Sequence, residues 1–188
     1  MRDDVLTAAI GLVERDRLLV TARAVAAAAD TSTAAVYELF GDKAGLLRAV
    51  FYEAFHRLRD VLAAVPSTSG PRTDLVALLR ATREFATRHP MLFELMFARP
   101  FAELEPEPSD VDAAIEVMRI VLRAVRRATD ANVLVGAPRD VAHVLVAANR
   151  GFIAAELSGV AGSTPANVER RWKLGVDALL DGLAPGAR

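Results

Sequence analysis

Cysteine is absent from this 188-residue chain. Its absence excludes disulfides, thiolate metal sites and cysteine nucleophiles. Aromatic residues are scarce, 6% of the chain against 53% apolar overall, so the core must be assembled largely from Ala, Leu and Val. Ala and Leu favour helices, and a chain of this length can bury a substantial core. Neither sign of charge is in excess: 23 basic and 24 acidic side chains leave a net charge of −1. That balance argues against a general polyanion binder. Long apolar runs are missing too. A membrane span needs about 18 uninterrupted apolar residues. The most apolar stretch, VAHVLVAANRGFIAAEL at 141–157, is broken by His143, Asn149, Arg150 and Glu156. No basic leader precedes an apolar core, so neither a secretion signal nor a membrane partner is expected, and a cytoplasmic location is the default.

What the chain does contain is helical periodicity. Apolar residues recur at spacings of three and four, and no strand-like alternation persists. Leu6, Ala9, Ile10 and Val13 stripe a first helix; Ala22, Val25, Ala26 and Ala29 stripe a second, with Thr21 as N-cap. Ser32 caps a third helix running to about Phe40. Asp42 caps a fourth that continues until Pro66. PSTSGPRT, residues 66–73, is the clearest connector. A fifth helix comes after it, with Leu75, Leu78, Leu79 and Phe85 on one face, and the chain breaks and restarts at Pro90. The proline-rich, acidic stretch ARPFAELEPEPSD is expected to be a solvated loop. Three further helices are expected at about 110–129, 139–157 and 165–183. The fold class is therefore all-α, with about nine helices.

Residues 21–40, TARAVAAAADTSTAAVYELF, have helix–turn–helix proportions. The turn falls at Asp30-Thr31, where the backbone usually needs a residue that tolerates a left-handed conformation; Asp does so better than most. In the second helix of the pair Val36 and Phe40 face inward. Thr33, Ala34, Tyr37 and Glu38 are left outward. Such small residues let a helix N-terminus enter a DNA major groove about 12 Å wide. Ala34 or Ala35 would touch a thymine methyl, Thr33 a base edge or a phosphate, and Tyr37 a phosphate. Lys43, beside the free N–H groups of the fourth helix, offers a second phosphate site. Against this stands the charge of residues 1–48, where six basic and seven acidic side chains leave −1.

The segment from about Val5 to Val50 resembles the DNA-binding domain of the TetR-like transcriptional regulators. The resemblance lies in an amphipathic first helix, in TARAVAAAADTS for the second helix and turn, and in AVYELFGDKAGLL for the third helix through the start of the fourth. Tyr37 and Phe40, then Lys43 and Leu46-Leu47, are its most specific part. It implies a helix–turn–helix domain over residues 1–48 and a ligand-binding and dimerisation domain over 49–188. It implies that Thr33, Ala34 and Ala35 meet bases or sugars, that Thr21, Arg23, Tyr37 and Lys43 meet phosphates, and that Ser32 belongs to the same DNA-binding set. The partners implied are double-stranded operator DNA, a small-molecule effector and a second copy of the chain. Repression released by the effector is the commoner behaviour in the family. Three features depart from its pattern: Asp30 stands where glycine is usual, and residues 15–19 lack the glycine often found after the first helix. Glu38 and Leu39 also replace a more common basic or aromatic pair.

For the larger part, Phe55, Leu58, Phe85, Met91, Phe93, Met96, Phe97, Met118 and Leu122 are candidates to line an apolar cavity, since Met adapts its shape to a ligand. Ordinary core is the alternative for each. Asn149 and Arg150 interrupt the most apolar helix. Arg150 faces solvent, pairs with a carboxylate, or meets an anionic ligand. His143 is expected at a surface or interface. Dimerisation is expected from the last two helices, striped by Val141, Val144, Leu145, Ala148 and Phe152, and by Val168, Trp172, Gly175 and Val176.

Enzyme chemistry finds little support. EAFH at 53–56 matches one Glu-x-x-His unit of a di-iron bundle, which needs two, and neither His89 nor His143 has a Glu three residues before it. No phosphate loop or nucleophile elbow is present. No catalytic residue, metal site or cofactor is expected. The competing reading is a helical ligand-binding or adaptor protein without specific DNA recognition.

Overall fold

The computed structural model describes residues 1–15, 20–98, 108–160 and 164–186, the side chains of 98 and 108–111 excepted. Within them lie nine helices and no strand. They are α1 (Arg2–Arg15), α2 (Ala22–Ala28), α3 (Thr33–Phe40), α4 (Lys43–Ala63), α5 (Pro71–Arg88), α6 (Pro90–Ala98), α7 (Pro108–Asp130), α8 (Pro138–Leu157) and α9 (Pro165–Gly182). The proline-rich acidic connector falls mostly on residues 99–107, and the glycine-poor loop mostly on 16–19. Both stretches lie outside the described residues.

Proline marks the helix starts. Pro71, Pro90, Pro108, Pro138 and Pro165 each open a helix. The first helical residue has no use for its N–H, and proline's fixed φ is already helical there. α5 consequently begins at Pro71, inside the segment read as a connector. Side-chain oxygens cap several starts: Thr21 Oγ1 accepts from Ala24 N at 3.1 Å, Ser32 Oγ from Ala35 N at 3.0 Å and Asp42 Oδ1 from Gly45 N at 2.7 Å.

The chain divides into two compact units. The first comprises Met1–Arg57 and Arg88–Ala114. In it α1 packs on α2 and on α6, and α2 packs on α3. Its core holds Val5, Ile10 and Val13 from α1, Val25 from α2, Val36 from α3, and Leu46, Leu47, Val50 and Phe51 from α4. α6 supplies Leu92, Phe93, Leu95 and Met96. An aromatic row links α4 and α6: Phe51 to Phe55 at 5.0 Å between ring centroids, Phe55 to Phe97 at 5.8 Å, and Phe97 to Phe93 at 4.7 Å. Glu14 Oε1 and His89 Nδ1, 3.0 Å apart, join the end of α1 to the turn before α6.

The second unit, Leu58–Thr87 and Ile115–Arg188, is tied together by polar groups. Arg83 donates from Nε and Nη2 to the Glu156 carboxylate at 2.6 and 3.0 Å, and from Nη1 to Glu169. Arg80 pairs with Glu169 at 2.8 Å. Both guanidinium groups lie over the Trp172 ring, 4.8 and 5.2 Å from its centroid, within cation–π range. Trp172 Nε1 donates to Asn149 Oδ1 at 2.9 Å, and Asn149 Nδ2 donates to the Leu79 carbonyl at 3.0 Å. One network thereby joins α5, α8 and α9. Its charges are paired and its buried amide is satisfied, whereas an orphaned buried polar group costs about 1–3 kcal/mol.

The apolar stripes of α8 and α9 are shifted from the expected interface. Val141, Leu145, Trp172 and Val176 are buried within the chain itself. What remains outward is Val144, 46% exposed, with Ala147, Gly151, Ala178 and Leu174, 68% exposed. Gly175 is also used internally, because a Cβ there would stand 2.6 Å from the Phe152 ring. The stripe pattern locates an apolar face without saying which surface covers it.

Candidate nucleic-acid interface

Three helix N-termini lie close together in the chain, at Thr21, Ser32 and Asp42. Each end leaves backbone N–H groups without a helical partner and carries partial positive charge. The caps leave donors available. A hydroxyl has one O–H and two lone pairs, so Thr21 and Ser32 can accept from their own helix and still donate outward.

The turn between α2 and α3 is built from the sequence's unusual choice. Asp30 adopts φ +49, the left-handed conformation expected at that position. Beside it Thr31 N donates to Ala26 O at 2.9 Å, closing the end of α2 in the six-to-one manner of a Schellman motif. α3 then buries Val36 and leaves Ala34, Tyr37 and Glu38 exposed, with Thr33 and Ala35 half-buried. Tyr37 is 48% exposed and its hydroxyl has no partner among the described residues. Phe40 is half-buried and carries the Arg2 guanidinium 5.1 Å from its ring centroid.

From α3 the chain passes through Gly41, at φ +80, into α4. Lys43 is half-buried at the first residue of α4, and Thr21 and Arg23 are exposed at the start of α2. Gly45 was not singled out by sequence reasoning, yet it sets this join. A Cβ there would stand 2.0 Å from the Phe40 carbonyl oxygen. The readable signal is a glycine in a first helical turn, where alanine would be the better helix former.

The candidates for an apolar cavity are spread through both units. Phe55 and Met96 are buried in the first, with Met91 and Phe97 half-buried there. Leu58 and Phe85 are buried in the second, with Met118 and Leu122 half-buried. Asn149 is buried, and both ends of its amide are bonded to Leu79 and Trp172. Arg150 is half-buried, and burial lowers the pKa of its guanidinium. Within the second unit a cavity of about 300 Å³ is lined by Leu62, Val65, Leu78, Ile120, Arg123 and Arg127, among others. Of these, sequence reasoning named none as a site residue. Among the described residues no three His, Cys, Asp or Glu side chains gather to hold a metal ion, and no helix is long and apolar enough to cross a membrane.

Two family models match. Residues 6–50 match bacterial regulatory proteins of the tetR family, and residues 75–179 match the tetracyclin repressor-like C-terminal domain. No curated protein matches the chain. Among solved structures, a protein of unknown function from Rhodococcus sp. RHA1 is 27% identical, with a TM-score of 0.85 over 97% of this chain and 95% of that one. A regulatory protein in the tetR family from Rhodococcus RHA1 is 17% identical, with a TM-score of 0.73 over 97% and 96%. The TetR family transcriptional regulator PfmR from Thermus thermophilus is 19% identical, with a TM-score of 0.70 over 99% and 98%. The last two likenesses are likenesses of fold.

Proposed function

The chain belongs to the TetR family of bacterial regulatory proteins, and from that premise we propose that it is a ligand-responsive repressor binding a palindromic operator as a homodimer. The observation that carries the DNA reading is the outward face of α3, with small side chains and an unpartnered Tyr37 hydroxyl, on a stretch of chain that holds three capped helix N-termini. On this reading Thr33, Ala34 and Ala35 meet base edges. Thr21, Arg23, Ser32, Tyr37 and Lys43 meet phosphates, which fix register without reading sequence. Residues 1–48 form the DNA-binding part and 49–188 the ligand-binding and dimerising part.

A second copy supplies what charge does not. Residues 1–48 carry a net −1, so one module gains little from a general electrostatic field. Two-fold symmetry doubles the contacts and demands a palindrome. The outward residues Val144 and Leu174 on α8 and α9 are suited to the subunit interface. Repression would be released when the effector favours a state whose recognition helices no longer match the half-sites. A coupling of about 1–3 kcal/mol is enough for a roughly 5–150-fold change in affinity.

The same net charge of −1 favours a second reading, a helical ligand-binding or adaptor protein without DNA specificity. Selection of random duplexes by the purified protein separates the two. The regulator enriches one palindrome; the adaptor enriches none.

A further inference from the structure

The cavity at the end of α4 has an apolar side and a cationic side. Leu62, Leu78 and Ala124 are buried walls, with Ile120 and Val65 beside them; Ser67, Asp74, Arg123 and Arg127 complete the polar side. The two arginines differ. Arg127 is fastened: Nη1 donates to Asp74 Oδ2 at 2.8 Å and to Ser67 Oγ, and Nη2 donates to the Thr68 carbonyl. Asp74 also accepts from Thr68 N at 2.9 Å and from Thr68 Oγ1 at 2.6 Å. Hydrogen bonds from Thr68, then from Arg127, hold its carboxyl below the usual range, so it stays charged and offsets Arg127. Arg123, one turn earlier on α7, is exposed and has no hydrogen-bond or ion-pair partner among the described residues. One uncompensated positive charge therefore stands beside an apolar wall.

We propose that this cavity binds a small apolar monocarboxylate, with its carboxylate on Arg123 and its hydrocarbon against Leu62, Leu78 and Ile120. Guanidinium and carboxylate match in shape and charge, and such bonds are among the stronger ones. Size narrows the class. At roughly 30 Å³ for each water-sized group, 300 Å³ holds about ten non-hydrogen atoms. Arg123 is the one cation of the lining without a partner among the described residues, so a single carboxylate matches it. The inference gives a chemical class to the effector proposed above and rests on that reading for its regulatory meaning; binding itself does not.

Octanoate and its neutral isostere octanamide, both of about that size, are the probes, titrated calorimetrically into the full-length protein. Octanoate is expected to bind saturably at one site per chain, and octanamide at least tenfold more weakly. Arg123→Met should weaken octanoate at least tenfold, to the level of octanamide. Arg119→Met, an exposed arginine of the same helix outside the cavity lining, should leave binding unchanged. Both substitutions are at exposed positions, and circular dichroism verifies the fold. No saturable octanoate binding, equal binding of octanamide, or unchanged binding by Arg123→Met would overturn the site. Operator affinity is measured in parallel. Octanoate that binds as described without altering it leaves the site standing and removes the effector role alone.

Discussion

Gly45 illustrates how one residue sets the candidate interface. Its position in the first turn of α4 would favour alanine on helix propensity by about 0.5–1 kcal/mol. A Cβ there, however, would stand 2.0 Å from the Phe40 carbonyl oxygen, a backbone atom that cannot swing aside. The clash outweighs propensity. Gly45→Ala should cost about 1–3 kcal/mol, the range for overpacking, and should weaken DNA binding because α3 and α4 join there. A thermal midpoint equal to that of the parent would refute this account of the join. Asp30 is the opposite case, legible from the sequence alone. A short polar side chain between two alanine-rich helices identified the left-handed turn, and the backbone adopts it.

At the scale of elements, periodicity located the nine helices of the described residues, because that signal is local; the prolines that open α5, α7 and α8 were not read as starts. Which partner covers a face is not local. Trp172 and Val176 lie on the apolar stripe of α9 and look like interface residues until Asn149, from α8, takes up the indole N–H. Arg83 carries no signal in the sequence, since its carboxylate partners lie 73 and 86 residues away. That network has a pH signature. Hydrogen bonds from Arg80 and Arg83 hold the Glu169 carboxyl below its ordinary 4.5. The unfolded chain takes up this proton at a higher pH than the folded chain does. The pair's contribution is therefore fully present above about pH 4.5 and is lost as the pH falls through the folded value. Glu169 is 41% exposed, so solvent screening limits the effect to under about 1 kcal/mol. Thermal midpoints tracked from about pH 6 downward should decline below about pH 4.5, and Glu169→Gln should flatten part of that decline. An unaltered slope in the variant would show that the pair contributes nothing.

At the scale of the whole molecule, operator binding as proposed needs two copies. The candidate DNA site was legible because its groups lie near one another along the chain, between Thr21 and Lys43. The proposed dimer surface could be named from the sequence only as a pair of helices, and which of their residues stay outward is set by the internal packing. Leu174, 68% exposed, is an apolar side chain with little covering it in the single chain. The parent is expected to be a dimer by light scattering, and Leu174→Glu should therefore give a folded monomer. A variant that remains dimeric would place the subunit interface elsewhere. Loss of the dimer should also abolish tight operator binding, since each half-site alone contributes too few contacts.

The claim on which these expectations depend is that α3 and the start of α4 face DNA. Its most direct test is equilibrium binding of the parent, Tyr37→Ala and Lys43→Ala to the selected palindrome across a salt series. A hydrogen bond to a charged group is worth about 1.5–3 kcal/mol. Tyr37→Ala should therefore lose at least about tenfold in affinity, while an outward ring leaves the thermal midpoint nearly unchanged. Lys43→Ala should weaken binding to all sequences alike and reduce the salt slope by about one. If both variants bind as the parent does at every salt concentration, the assigned face does not contact DNA.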